Sequence, residues 1–236
     1  MRDEFTQTPY WEETGTEPFI GMEFADNCEP RCACVLLLDT SGSMNGEAIA
    51  ALSQGLQQFA TELRQDRLAA KRVDVAVIGF GDRVDILAEF GSAQNFYPQS
   101  LKAKGGTPMG EAINLGIDLL ATRQAEYRNN GITPYRPWMF LISDGAPTDK
   151  WDRAARRIRE GEERKSFSFF AVGVDGADMN TLGQISVKTP LMLRGLAFSE
   201  MFRWLSSSLS SVSRSSTGQQ VLLANPTGPA GWASID

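Results

Sequence analysis

The sequence predicts an α/β fold: a doubly wound, mostly parallel central sheet with one antiparallel edge strand and helices on both faces. Three observations predict it. Short apolar runs recur without in-and-out alternation, stretches of helical period fall between them, and 42% apolar residues in a chain of 236 can fill one large core.

The buried strands read as CACVLLLD (32 to 39), RVDVAVIGFG (72 to 81), WMFLISD (138 to 144) and FSFFAVGV (167 to 174). Each is strand-length, rich in branched or aromatic residues, and apolar on both faces. Between the first two, Ile49, Leu52, Leu56, Phe59 and Leu63 recur at helical spacing, and Ile113, Ile117 and Leu120 do the same further on. A third helix is expected over 149 to 164, with its basic residues outward. VDILAEF (84 to 90) follows the second strand after the turn-like GDR, too closely for a crossover helix, so it is expected to be the antiparallel edge strand.

Near the C-terminus, SSSLSSVSRSST resembles a linker in composition. Phe198, Phe202, Leu205, Leu209 and Val212 nevertheless keep a 4, 3, 4, 3 spacing, which places the serines on the outer face of a last helix. QQVLLA (219 to 224) is expected to add a short strand, and Trp232 to dock on the domain. Residues 1–30 are polar and acidic with scattered aromatics, and read as an extended arm. The expected division is therefore an arm (1–30), a domain (31–213) and a C-terminal extension (214–236).

Composition removes several function classes. A net charge of -6 leaves no broad basic field for phosphates, and RAARRIRE is interrupted by alanine, isoleucine and glutamate, which argues against nucleic acid. No window approaches the roughly 18 apolar residues of a membrane helix, and the N-terminus lacks the layout of a secretory signal, so a cytoplasmic protein without a membrane partner is expected. The chain contains no histidine, which excludes every mechanism that needs imidazole. Cys28, Cys32 and Cys34 lack a fourth zinc ligand, and the last two share one face of the first strand, where reduced cysteine packs as a small apolar residue.

Three loops at predicted strand ends carry oxygens: Asp39, Ser41 and Ser43 from DTSGS, Thr107 from GGTPMG, and Asp144 from LISDG. In a doubly wound sheet the carboxyl ends of the strands form the binding edge. Two carboxylates and three hydroxyls, with no soft ligand, suit a hard divalent cation; magnesium comes first, with manganese or calcium as alternatives. Each loop alone has an ordinary use. Thr107-Pro108 reads equally as an N-cap with proline at the first helical position, Asp144-Gly145 as a turn, and DTSGS as a cap for the next helix. Their conjunction favours the metal reading. Asp82 and Asp85, in the GDRVD turn, are expected to be solvated charges.

D-x-S-x-S, a distant threonine after GG, and a later S-D-G together resemble the metal-ion-dependent adhesion site of von Willebrand factor A domains, over about residues 32 to 212. The resemblance implies their Rossmann-like fold. It implies direct ligation by Ser41, Ser43 and Thr107, with Asp39 and Asp144 binding directly or through water. It also implies an acidic residue of a protein partner at the remaining coordination position. VLLLDTSGSMNGEAI, LKAKGGTPMGEAI and FLISDGAPTDKW further resemble bacterial tellurium-resistance-associated proteins of the TerY type. Those are intracellular and encoded near protein kinases and phosphatases, which implies a scaffold or regulator in stress response or signalling.

The expected function is thus a non-enzymatic, metal-dependent protein-binding module. One alternative is a magnesium-dependent phosphotransferase using Asp39, but the position two beyond is Ser41, not the second aspartate such enzymes carry. No P-loop or G-x-S-x-G elbow occurs. The other alternative is a structural subunit with a vestigial site, binding through its aromatic arm or the Trp232 tail.

Overall fold

The computed structural model describes residues 24, 25, 27–229 and 231–235. The expected arm therefore lies largely outside the described residues. Among the described residues seven strands form one sheet in the order β3-β2-β1-β4-β5-β6-β7. They are β1 Cys32–Asp39, β2 Val73–Phe80, β3 Val84–Ser92, β4 Trp138–Ser143, β5 Ser168–Gly173, β6 Leu191–Leu193 and β7 Ala233–Ser234. The helices are α1 Glu47–Gln65, α2 Ala69–Arg72, α3 Met109–Asn129, α4 Asp152–Glu163, α5 Met179–Ile185 and α6 Phe198–Arg214.

β1 lies at the centre and pairs in parallel with β2 on one side and β4 on the other. All eight of its residues are buried, which is what a continuous apolar run between two helix layers requires. Residues of alternate parity enter opposite cores. Cys32, Cys34, Leu36 and Leu38 face α1 and α6, whereas Ala33, Val35 and Leu37 face α3, α4 and α5. Cys32 and Cys34 are free buried thiols, as the sequence implies, and Cys28 is free and exposed.

β3 pairs antiparallel with β2 at one edge, with register shifts around Val77. The opposite edge has a second antiparallel strand, the two-residue β7 against β6. A short strand was expected at 219 to 224, which forms none. Instead the indole N–H of Trp204 on α6 donates to the Ala224 carbonyl at 2.7 Å, and Val221 and Leu223 pack partly buried on the core. With its carbonyl held by an indole and Pro226 close behind, this segment has a side-chain anchor in place of a strand partner. Trp232 is buried 5.7 Å from Trp204, as its docking required.

The serine-rich α6 buries Phe198, Phe202, Leu205 and Leu209 against α1. A Cβ on Gly55 would stand 2.7 Å from the Phe202 ring, so this crossing depends on a residue without a side chain.

At the amino ends of the strands, Asp74 is fully buried and saturated with donors. Its Oδ1 accepts from Arg31 Nη1 at 2.8 Å, and its Oδ2 from Arg123 Nη2 at 2.7 Å and the Tyr127 hydroxyl at 2.6 Å. Burial and the neighbouring Asp74 charge push the Tyr127 hydroxyl's pKa up, so it stays a donor. Phe24 lies over this group, edge-on to Tyr127 and near the Arg123 guanidinium.

Candidate metal centre

The strand order reverses on either side of β1, so the crevice at the carboxyl ends of β1 and β4 is the switch point of the sheet. Asp39 ends β1, and Asp144 follows β4 directly. Asp39 is completely buried: its Oδ1 accepts from the Ser41 amide at 2.8 Å, and its Oδ2 from the Ser143 hydroxyl. From there a hydroxyl chain runs outward. Ser41 Oγ and Ser43 Oγ are 2.9 Å apart, and Ser43 Oγ donates to Asp144 Oδ1 at 2.8 Å.

Thr107 joins the same group from a third loop. A Cβ placed on Gly145 would stand 3.5 Å from Thr107 Oγ1 and 3.9 Å from Ser43 Oγ, so the three residues bound one small cradle. The loops are tied together by backbone. Gly42 N–H donates to the Gly105 carbonyl at 2.9 Å, while the Thr107 amide donates to Thr148 Oγ1 at 3.0 Å and the Thr148 amide returns to the Thr107 carbonyl at 2.9 Å. Gly105 has φ +83° and packs so closely on Asp82 that a Cβ would fall 2.3 Å from its Cα, so only glycine fits this turn.

The chain does bend at Asp144-Gly145, but the helix-capping uses of the other residues are not the ones seen. The α3 N-terminus begins at Met109, and Pro108 occupies the capping position without a side-chain hydrogen bond. The free amides of Gly110 and Glu111 are instead held by Asp149, at 2.9 and 2.8 Å. This task draws Asp149 away from the next helix, which begins at Asp152 and not at 149 as expected. Ser41 stands at the start of a one-turn 3-10 helix, Gly42–Met44, and Gly46 before α1, in both cases without a side-chain cap. Asp82 and Asp85 are exposed but paired, with Lys104 and Arg83, both at 2.7 Å.

Sequence reasoning did not single out three further residues. Ser143 orients Asp39, Thr148 fixes the Thr107 loop, and Asp149 fixes the start of α3. Ser143 was visible only as the residue before Asp144.

The electrostatics are one-sided. Burial pushes the Asp39 carboxyl above the ordinary carboxylate range, the hydroxyls of Ser143 and Ser41 and the Ser41 amide oppose this, and Asp144 nearby pushes upward again. Among the described residues neither Asp39 nor Asp144 has an ion-pair partner. Hydrogen bonds alone do not offset a buried carboxylate beside a second one; a cation would. With two carboxylates, three hydroxyls and no nitrogen or sulfur, the donors suit a hard divalent ion, and the described residues contain no competing cluster of three or more His, Cys, Asp or Glu.

Comparison with known proteins decides the family. The model for the von Willebrand factor type A domain matches residues 34–200, more than half of the chain. The chain belongs to this family. Among solved structures, its fold is similar to that of a von Willebrand factor type A protein from Catenulispora acidiphila, with 20% identity and a TM-score of 0.57 over 77% of this chain and 43% of that one. It is also similar to the vWF domain of the type V pili tip protein Mfa5 from Porphyromonas gingivalis, with 11% identity and a TM-score of 0.61 over 81% of this chain and 99% of that one. A third is proximal thread matrix protein 1 of the mussel byssus, solved with a zinc-occupied MIDAS motif, at 16% identity and a TM-score of 0.54 over 78% of this chain and 49% of that one. The von Willebrand factor A chain described here spans less than half the length of the first of these, and no curated protein sequence matches it significantly.

Proposed function

We propose that this von Willebrand factor A domain is a non-enzymatic, metal-dependent protein-binding module. Asp39, Ser41, Ser43, Thr107 and Asp144 hold the ion, with magnesium first and manganese or calcium as alternatives. The observation that carries the reading is a buried Asp39 beside Asp144, linked through Ser41 and Ser43, with no cationic partner among the described residues. The zinc-occupied MIDAS of the mussel protein supports a divalent ion in this fold. Two aspartates roughly offset the ion's charge, so it stays electrophilic towards one more anion, for which an acidic side chain of a partner protein is the proposed source.

The module is assigned to residues 31–213, with 1–30 as an arm and 214–236 as an extension. By resemblance to TerY-type proteins, its setting is a bacterial, cytoplasmic, tellurium-resistance-like stress response or a kinase- and phosphatase-linked signalling system. No helix among the described residues is long and apolar enough to cross a membrane.

A pull-down with and without EDTA tests the binding mode. Capture that depends on the ion and fails for Asp39→Ala supports it, and capture unchanged in EDTA contradicts it. A generic phosphate ester with magnesium tests the enzymatic alternative, since turnover lost in Asp39→Asn would replace the binding reading with a catalytic one.

A further inference from the structure

A cleft of about 610 Å3 opens between α3 and α4 at the amino ends of the strands, the edge opposite the candidate metal centre. Its charged lining is Arg128, Arg136, Arg157, Arg164 and Lys165 against one carboxylate, Glu160, in a chain whose net charge is -6. Arg136 is held by Glu162 at 2.8 Å and Arg157 by Asp118 at 2.5 Å. Among the described residues Arg128, Arg164 and Lys165 have no ion-pair partner. The same wall carries the Gln124 Nε2, a buried donor without an acceptor among the described residues. Cations in last helical turns do offset helix dipoles, and Arg128 is so placed. That accounts for one charge per helix end, not for five converging from α3, α4 and the loops beside them.

An acidic polypeptide is available in the chain itself. Residues 1–23 contain Asp3, Glu4, Glu12, Glu13, Glu17 and Glu23 against Arg2 alone, with four aromatic residues among them. They lead directly into Phe24, whose ring lies 5.8 Å from that of Tyr127, the neighbour of Arg128 on α3. Twenty-three residues reach up to about 75 Å when extended, far more than is needed to pass a helix about 10 Å across. So short a tether gives an effective concentration in the millimolar range.

We propose that the basic cleft between α3 and α4 is the docking site of the chain's own acidic N-terminal segment, residues 1–23. The inference does not rest on the metal centre.

Zero-length carbodiimide coupling of the full chain, followed by peptide mapping, tests it. The expected product is a monomer in which Lys165 is joined to a carboxylate of residues 1–23. Its yield should fall roughly tenfold in Arg128→Glu/Arg164→Glu, because like charges now face each other. It should fall similarly for the wild-type chain in about 1 M salt, where screening acts within about 3 Å, a control that needs no variant. Coupling of the segment to Lys71 in place of Lys165, coupling indifferent to salt, or coupling confined to covalent dimers would each overturn the proposal.

Discussion

The Ser43 hydroxyl donates to Asp144 Oδ1 at 2.8 Å, joining the loop after β1 to the loop after β4 across 101 positions of sequence. Ser43 is exposed, so this bond contributes little to the fold: Ser43→Ala should shift unfolding free energy by less than about 0.5 kcal/mol. Metal affinity should nevertheless fall at least about tenfold, since a ligand and the orientation of its neighbour are lost together. Thermal denaturation and calorimetry on one preparation check both halves.

Ser143 acts on the site through Asp39. Its replacement by alanine leaves a fully buried carboxylate oxygen without its hydroxyl donor, at a cost of about 1–3 kcal/mol in urea unfolding. Added divalent ion should recover part of that loss, which a purely structural serine would not show.

Asp74 holds together the amino ends of the sheet. Asp74→Ala takes the buried carboxylate from Arg31 and Arg123, of which Arg123 still faces Glu126 at 3.1 Å, and should destabilise by about 3–5 kcal/mol while leaving metal affinity in the surviving folded fraction unchanged. Equilibrium unfolding and ion titration separate the two effects.

Burial pushes the Cys32 thiol up to about 12, the nearby Asp74 charge adding to the effect, and Cys34 moves in the same direction. Between pH 9 and 12 the unfolded chain therefore releases protons that the folded chain keeps, and stability falls as pH rises through that window, by up to about 1.4 kcal/mol per unit for Cys32. The pH-dependent loss should be smaller in Cys32→Ala/Cys34→Ala. A thiol reagent at pH 8 should label only Cys28 in the native protein and all three cysteines in denaturant.

Much of the architecture was legible because it depends on local pattern. VLLLD reads as a doubly buried strand wherever it sits, and the spacing from Phe198 to Val212 outweighs the serines between. α5, β6 and β7 have seven, three and two residues, too few to establish a period, and were not foreseen. Residues 219 to 224 misled because apolar composition there serves contact with α6, with Leu222 left 92% exposed. Of the candidate site, all five oxygen-bearing residues could be named from sequence because each follows a recognisable strand or glycine pair. Ser143, Thr148 and Asp149 could not, since their partners lie 104, 41 and 39 positions away and meet them only in the folded chain.

The most direct test of the metal assignment is isothermal calorimetry of magnesium and manganese on the wild-type chain, Asp39→Ala and Thr107→Ala. The account predicts saturable binding at one site in the wild type and its loss in both variants, with circular dichroism showing that each variant remains folded. Normal binding by either folded variant, or no binding by the wild type, would contradict it.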